Sequence, residues 1–174
     1  MNYVINHYCR QIGLEFDRDG EIARRGAICR PLLDELNGME FYHQSGPKSL
    51  GREWVETQVY PMLERYGLSL EDKLRTFYEH AAFQIFRIIN ANPSSAGNGK
   101  LLITGGGAFN KFLVERIEAL CPCQIVIPGR QIIEYKEALI FAFLGALYMA
   151  DEPGCLASVT GASMDNIGGM LFKV

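Results

Sequence analysis

The sequence predicts an α/β chain that is rich in helix and short of strands. Three observations carry that class. The first half shows apolar residues at helical spacing and no strand pattern. The second half reads strand, glycine turn, helix, strand, helix, which is the order of a parallel α/β layer. Two strands, with a short third at Met170 to Phe172, are too few for an independent sheet. The chain reads as the back half of an α/β unit whose opening strands lie elsewhere, so its sheet is expected to be incomplete.

Helical spacing opens the chain. Tyr3, Val4, His7, Tyr8 and Ile12 recur on one face, and Gly13 is a natural stop. A polar turn, Asp17-Arg18-Asp19-Gly20, leads into a short segment ending at Gly26. Pro31 sits at a helix start, where an N–H would be unpaired anyway, with Leu32, Leu33 and Leu36 on one face. Residues 43–51 are dense in turn formers and make a loop. A helix is expected from Arg52 to about Arg65, with Trp54, Val55, Val59, Met62 and Leu63 inward and Pro61 kinking or splitting it. Ser69 then caps a long helix running to about Asn90. Glu71 and Asp72 in its first turn favour the positive end of the dipole. Leu74, Phe77, Tyr78, Ala81, Ile85 and Ile88 form its inner face.

Asn92 to Gly99 reads as a flexible connection. Leu101-Leu102-Ile103-Thr104 has the pattern of a short buried strand, Gly105 to Ala108 of a turn, and Asn110 to Leu120 of a helix. Gln124 to Ile127 is a second strand, closed by Pro128-Gly129. A third helix runs from about Ile133 to Met149, and the apolar run Ala138 to Ala150 within it reads as buried. The chain thus divides into a mainly helical part, 1–91, and a strand, glycine-turn and helix part, 100–174, within one lobe.

Composition bounds the function. The chain has 174 residues, about one domain's length. It is 48% hydrophobic and 21% charged, which permits a packed core and excludes global disorder. A net charge of -3 argues against a nucleic-acid binder that relies on a large basic excess. It leaves room for small phosphorylated ligands, which need only local positive charge or backbone N–H groups. No apolar run reaches the roughly 18 residues of a membrane span, and no signal-peptide h-region opens the chain. The expectation is a cytoplasmic protein with no membrane partner. The five cysteines, odd in number and without a C-x-x-C pair, read as free thiols.

Three stretches carry candidate chemistry. Gly105-Gly106-Gly107, after an apolar strand, lets a ligand approach the backbone with no Cβ in the way, and the following helix start offers N–H groups. No Gly-Lys-Ser/Thr follows, so it is not a Walker loop, and Asn110 stands where a dinucleotide fingerprint needs its last glycine. A ligand-free turn reads equally from the local sequence, and an NADP-type module using Gly105 to Gly107 and Arg130 stays open. Lys48 and Arg52 flank Gly51 at a helix start and suit an anion or polar substrate, or else are solvated. Glu134 and Glu137 lie near the start of an apolar helix. Either they only complement its dipole, or Glu137 stands at the mouth of a cleft. Asp17 to Gly20 is similar to half a calcium loop, but position 28 is Ile28 where an acid is required. His7, His43 and His80 show no metal-ligand spacing. The residues name no catalytic group and no metal ligand.

Several stretches together resemble one family. Pro47 to Trp54 (PKSLGREW) resembles the PKS-x-GRE signature of the anhydro-N-acetylmuramic acid kinases. Thr104 to Asn110 (TGGGAFN) looks like their CGGGA-x-N loop, with Thr104 for the usual cysteine. Glu137 to Ala142 (EALIFA), Ser158 to Ser163 (SVTGAS) and Leu14 to Ala23 (LEFDRDGEIA) are similar to further segments of that family, in the family's order.

The resemblance implies the carboxy-terminal lobe of an actin-like, ribonuclease H-like ATPase fold. It implies ATP and Mg²⁺, phosphoryl transfer to 1,6-anhydro-N-acetylmuramic acid with opening of the anhydro ring by water, and a role in cell-wall sugar recycling. Gly105, Gly106, Gly107 and Asn110 would then touch adenosine and the α-phosphate region, and Glu137 the sugar side. Lys48 and Arg52 match the signature and either contact ligand or brace the lobe. The family's GTS-x-DG phosphate loop and the catalytic aspartate of its D-x-G-x-x-N segment have no match in this sequence. The expectation is therefore a lobe inactive alone, or a non-catalytic remnant that binds nucleotide or a partner. It should expose an apolar surface, covered by a homo-oligomer or by an amino-terminal lobe.

Overall fold

A computed structural model describes residues 1–91, 99–170 and 172 of the chain. Its organising element is the long helix α6 (Leu70–Asn90), preceded in the chain by α1 (Asn2–Gln11), α2 (Glu21–Arg24), α3 (Arg30–Asn37), α4 (Arg52–Trp54) and α5 (Tyr60–Arg65). Ser69 starts α6 as the sequence predicts: its Oγ accepts the Asp72 N–H at 3.1 Å. Such a cap is worth about 1 kcal/mol. The first turns of α6 also hold the loop between α2 and α3. The Ala27 N–H donates to Asp72 Oδ1 at 2.7 Å and the Cys29 N–H to Thr76 Oγ1 at 2.9 Å. Gly26 passes so close that an added Cβ would lie 2.1 Å from the Glu71 carbonyl oxygen, so only glycine fits there.

Around α6 the amphipathic faces close one core. Val4, Ile5, Tyr8 and Cys9 of α1, Leu32 and Leu36 of α3, and Leu63 of α5 pack with Leu74, Phe77, Tyr78 and Ala82. Phe112, Leu113 and Ile117 join them from α7 (Lys111–Leu120). The inner face of α6 departs from its expected spacing at one position. Ile88 is 74% exposed, because Ile85 and Ile89 turn to the core at that end and leave Ile88 on the outer face. At Pro61 the expected break takes a specific form. A π-helical turn, Val55–Val59, joins α4 to α5, and the extra residue makes room for a ring with no N–H to donate.

The glycine-rich half forms one β-α-β unit. β1 (Lys100–Leu102) pairs in parallel with β2 (Gln124–Val126), Leu101 opposite Ile125, with α7 as the crossover. Among the described residues these two strands make the whole sheet, a small parallel open one as short of strands as the sequence predicts. Residues 92–98 and the centre of the expected Met170 to Phe172 strand lie outside the described residues.

Two burial expectations are overturned. β1 is not buried on both faces: Leu101 is half-buried against the core, while Leu102 is 59% exposed on the other side. The helix α8 (Arg130–Met149), which carries the run Ala138 to Ala150, is not buried either. Only Ile133 of α8 is buried, and Phe141 is 71% exposed. An apolar run reports a need for cover, and the two-stranded sheet is too narrow to cover this helix. The exposed apolar surface that the strand count predicts is thus the length of α8. A short helix α9 (Ala157–Thr160), not foreseen from spacing, ends at Gly161 with φ +75°. No helix among the described residues is long and apolar enough to cross a membrane. All five cysteines are free.

Candidate functional site

The glycine loop leaves β1 through a conformation that only glycine takes readily. Gly105 has φ +76° and ψ −179°, and an added Cβ there would meet nothing within 4 Å. Its bare side faces an open groove along the end of β1. Gly106–Phe109 then form one 3₁₀ turn, closed by the Ala108 N–H on the Gly105 carbonyl at 2.9 Å. A turn of this kind leaves its first N–H groups unpaired. Among the described residues no backbone acceptor outside the turn engages Gly106 or Gly107. The first turn of α1 lies against the loop. A Cβ at Gly106 would come 3.4 Å from Asn2 Nδ2, and one at Gly107 3.4 Å from Met1 Cε.

Asn110 ends the loop and is committed to the fold on both sides of its amide. Its Oδ1 accepts the Leu113 N–H at 3.0 Å and caps α7. Its Nδ2 donates to the Tyr78 hydroxyl at 2.6 Å and to the Asp17 carbonyl at 3.3 Å. Asp17 is buried, and its two carboxylate oxygens accept the Ile22 and Ala23 N–H groups at 2.8 and 3.2 Å, which anchors α2 by its positive end. Asp19 holds a left-handed backbone, φ +55°, and receives Lys111 Nζ at 3.1 Å. Gly20 follows at φ +74°, where an added Cβ would collide with Phe112 Cβ at 2.4 Å.

Asp17, Asp19, Tyr78 and Asn110 wall a cavity of about 340 Å³, together with Asn2, Ile5, Asn6, Phe16, Gly106 and Phe109. Of the site residues that the sequence suggests, Gly106 and Asn110 line it, and Gly105 and Gly107 line the adjoining groove. Burial pushes the Tyr78 phenol far above the ordinary tyrosine range, with the Asp17 charge adding to it, so the group is neutral.

The other suggested residues stand elsewhere. Lys48 Nζ donates to the Phe41 and Gln44 carbonyls at 2.8 and 2.9 Å and lies over the Phe41 ring, so it braces its own loop. Arg52 donates to Glu56 at 2.7 Å and lies over the Tyr3 ring, whose hydroxyl donates to the same carboxylate at 2.6 Å. Glu137 is exposed on α8 and lines neither the cavity nor the groove. Its neighbour Lys136 donates to Thr104 Oγ1 at 2.8 Å, which ties α8 to the strand leading into the glycine loop. Arg130 is paired with Glu134 at 2.6 Å. Two motifs far apart in sequence meet: a Cβ at Gly161 would lie 3.8 Å from Pro47.

Sequence reasoning missed the opposite wall. Asp17 to Gly20 stood out as a polar turn, half a calcium loop and part of a segment similar to the family, but not as a wall of the site, and Tyr78 stood out only as a core position. The available signal was the pair of polar residues before Gly20, which two consecutive left-handed residues turn inward. Among the described residues no cluster of three histidines, cysteines or carboxylates exists, and the two aspartates here already hold N–H and ammonium donors. The residues present therefore do not build a Mg²⁺ cage of their own.

The match to known proteins spans the whole chain. The family model for anhydro-N-acetylmuramic acid kinase covers residues 1–174. The glycine loop, the Asp17 turn and the Pro47 signature all lie inside it, and this chain belongs to the anhydro-N-acetylmuramic acid kinase family.

Proposed function

We propose that this chain supplies the nucleotide side of an ATP-dependent kinase for 1,6-anhydro-N-acetylmuramic acid, in cytoplasmic recycling of cell-wall sugars. Family membership supports a carbohydrate kinase. The observation that carries the nucleotide side is the Gly105–Phe109 turn, whose first N–H groups have no backbone partner among the described residues and stand beside an open groove and a polar cavity. Phosphoryl transfer asks a protein mainly for positioning and electrostatics. Here rigid elements on both flanks hold the loop: Asn110 fixes its exit, and the first turn of α1 backs its middle.

In this reading Gly105 to Gly107 receive the α-phosphate region and adenosine. Asn110 acts through the cap it makes. Glu137 faces the sugar side, and Lys48 and Arg52 brace the lobe. Mg²⁺ supplies charge neutralisation on the phosphates when bound. Among the described residues no cluster of carboxylates would hold it. The exposed apolar length of α8 favours a second reading, in which the chain is a non-catalytic nucleotide- or partner-binding protein.

The sequence contains no match to the family's phosphate loop or catalytic aspartate. The proposal therefore includes that these residues alone turn over no substrate. A positioned base contributes about 10²–10⁴-fold, and one oxyanion-type donor about 10²–10³-fold. The test incubates the purified chain with ATP, Mg²⁺ and the anhydro sugar and reads product mass. Product at background is expected. Robust turnover that disappears in Gly106→Trp would show that the catalytic groups lie within these residues.

A further inference from the structure

Three arginines converge on one buried ring. Arg24 of α2, Arg75 of α6 and Arg116 of α7 are far apart in sequence, and the packing of α2 and α7 on α6 brings them together. Phe112 lies between these helices and is buried. The guanidinium carbons of Arg24 and Arg75 each stand 4.8 Å from the centre of its ring. A ring face attracts such charges but accepts none of their fork of N–H groups in full.

Carboxylates answer two of the three arginines. Arg24 donates from both terminal nitrogens to Glu115, at 2.7 and 2.8 Å. Arg116 donates to both oxygens of Glu79, at 2.8 and 3.1 Å. Glu21 reaches Arg24 only at 3.6 Å and is largely in water. Arg75 is left over. Its side chain is 19% exposed, and its terminal nitrogen lies 4.0 Å from Glu79, beyond hydrogen-bond distance. Among the described residues its buried Nε–H has no acceptor. A buried charged donor without an acceptor is costly. Burial lowers the Arg75 pKa from its ordinary value, with the Arg116 and Arg24 charges adding to the effect and Glu79 opposing it. An anion among the three guanidinium groups would relieve that repulsion and accept the unmatched N–H groups.

We propose that Arg24, Arg75 and Arg116 form a binding site for a phosphate group, with Arg75 as its principal ligand. Guanidinium forks match oxyanions two oxygens at a time. Three cations approaching from three helices call for an acceptor with oxygens in several directions. A tetrahedral phosphate has them, whereas a planar carboxylate meets one fork. Glu79 and Glu115 are each matched by their own arginine, so the charge left for a ligand is that of Arg75. Arg24 and Arg116 are partly exposed, which leaves the site open to a ligand from solvent. The same chemistry comes from free phosphate or from the phosphoryl group of a larger molecule. The proposal stands apart from the nucleotide reading: none of the three arginines lines the cavity or the groove at the glycine loop.

The experiment titrates isotope-labelled chain at constant ionic strength with inorganic phosphate, methyl phosphate and acetate. It follows the arginine Nε–H signals by NMR and the melting temperature. Millimolar inorganic phosphate is expected to shift the Arg75 Nε–H signal and to raise the melting temperature, and acetate at the same concentration to do neither. Arg75→Gln should weaken phosphate at least about tenfold, read from the melting temperature, and Arg24→Gln about threefold. The second variant leaves Arg75 in place and keeps the test alive if the first fails to fold. If methyl phosphate also shifts the Arg75 signal, the site receives a phosphoryl group on a larger ligand; if it does not, the site takes the free ion.

The proposal is overturned if inorganic phosphate leaves the Arg75 signal in place, if acetate shifts it as far, or if both variants bind phosphate as tightly as the parent. It is overturned too if Gly106→Val abolishes the Arg75 shift, since the phosphate would then sit at the glycine loop. A shift that survives in Gly106→Val while ADP binding is lost supports both readings as separate sites.

Discussion

The Asn110 side chain joins the glycine loop to the core: its amide donates to the buried Tyr78 hydroxyl at 2.6 Å while its carbonyl oxygen caps α7. One residue thereby fixes where the loop ends and how α7 begins. Asn110→Ala removes the cap and leaves the Tyr78 oxygen without its donor, for a loss of about 2 kcal/mol in unfolding free energy. Asn110→Ser keeps a cap acceptor and loses only the donor to Tyr78, so its loss is smaller. Urea unfolding measures both. Equal losses, or none, would mean that the contact does not hold the loop.

His80 gives folding a pH dependence of known sign. Its Nδ1 faces Asn37 Oδ1 at 2.7 Å and its Nε2 faces the Tyr42 hydroxyl at 3.0 Å, an arrangement that suits the neutral ring. Burial, with the Met1 ammonium adding to it, lowers its pKa to about 4 from an ordinary 6.5. The folded state thus binds this proton less readily than the unfolded chain. The associated stability is complete above about pH 6.5, falls as pH drops toward 4, and levels below that. The shift corresponds to about 3 kcal/mol. Urea midpoints between pH 7 and 5 should fall in the parent and stay flatter in His80→Gln, since lowered carboxylates such as Glu35 titrate below that window. Parallel slopes would remove His80 from the account.

Two ion pairs with the same partners on paper should differ in weight. Arg116 makes a two-pronged contact to Glu79, at 2.8 and 3.1 Å, and the Glu79 side chain is only 12% exposed. Arg116→Ala leaves that carboxylate with Arg75 at 4.0 Å and should lower unfolding free energy by about 2 kcal/mol. The Arg52–Glu56 pair is open to water, and Arg52→Ala should leave the thermal midpoint unchanged. Thermal scans of the two variants side by side decide it, and a larger drop in Arg52→Ala would reverse the ranking.

The apolar length of α8 has a solution signature. Phe141 and Phe143 are 71% and 61% exposed, and contiguous apolar surface of this kind draws proteins into association. The double variant Phe141→Ser, Phe143→Ser should lower dye binding and self-association with no loss of helix content. Sedimentation and circular dichroism measure the two effects. A collapse of helix content would show that these rings are packed in solution.

Local signals carried most of the helices. Ser69 and Asp72, Pro31, and the spacing of Leu32, Leu33 and Leu36 act within a few residues, and the structure follows them. The parallel β-α-β unit was legible for the same reason. Burial was not, because it depends on what stands opposite. The run Ala138 to Ala150 has no polar face to reveal which side is covered, and a two-stranded sheet covers neither side of it. The candidate site was half legible. Three successive glycines announce a backbone approach, whereas Asp17, Asp19 and Tyr78 reach the cavity through left-handed turns and helix packing that the spacing of polar residues does not encode.

The proposed role of Gly105 to Gly107 as the nucleotide side of a kinase rests on one calorimetric titration. ADP is titrated into the parent chain and into Gly106→Val. That glycine has an ordinary backbone angle, and an added Cβ meets only the end of the Asn2 side chain at 3.4 Å, so the variant should fold. Measurable ADP binding by the parent is expected, at least tenfold weaker in the variant, with equal melting temperatures. Binding that is unchanged by Gly106→Val, or absent from the parent at millimolar ADP, would contradict it.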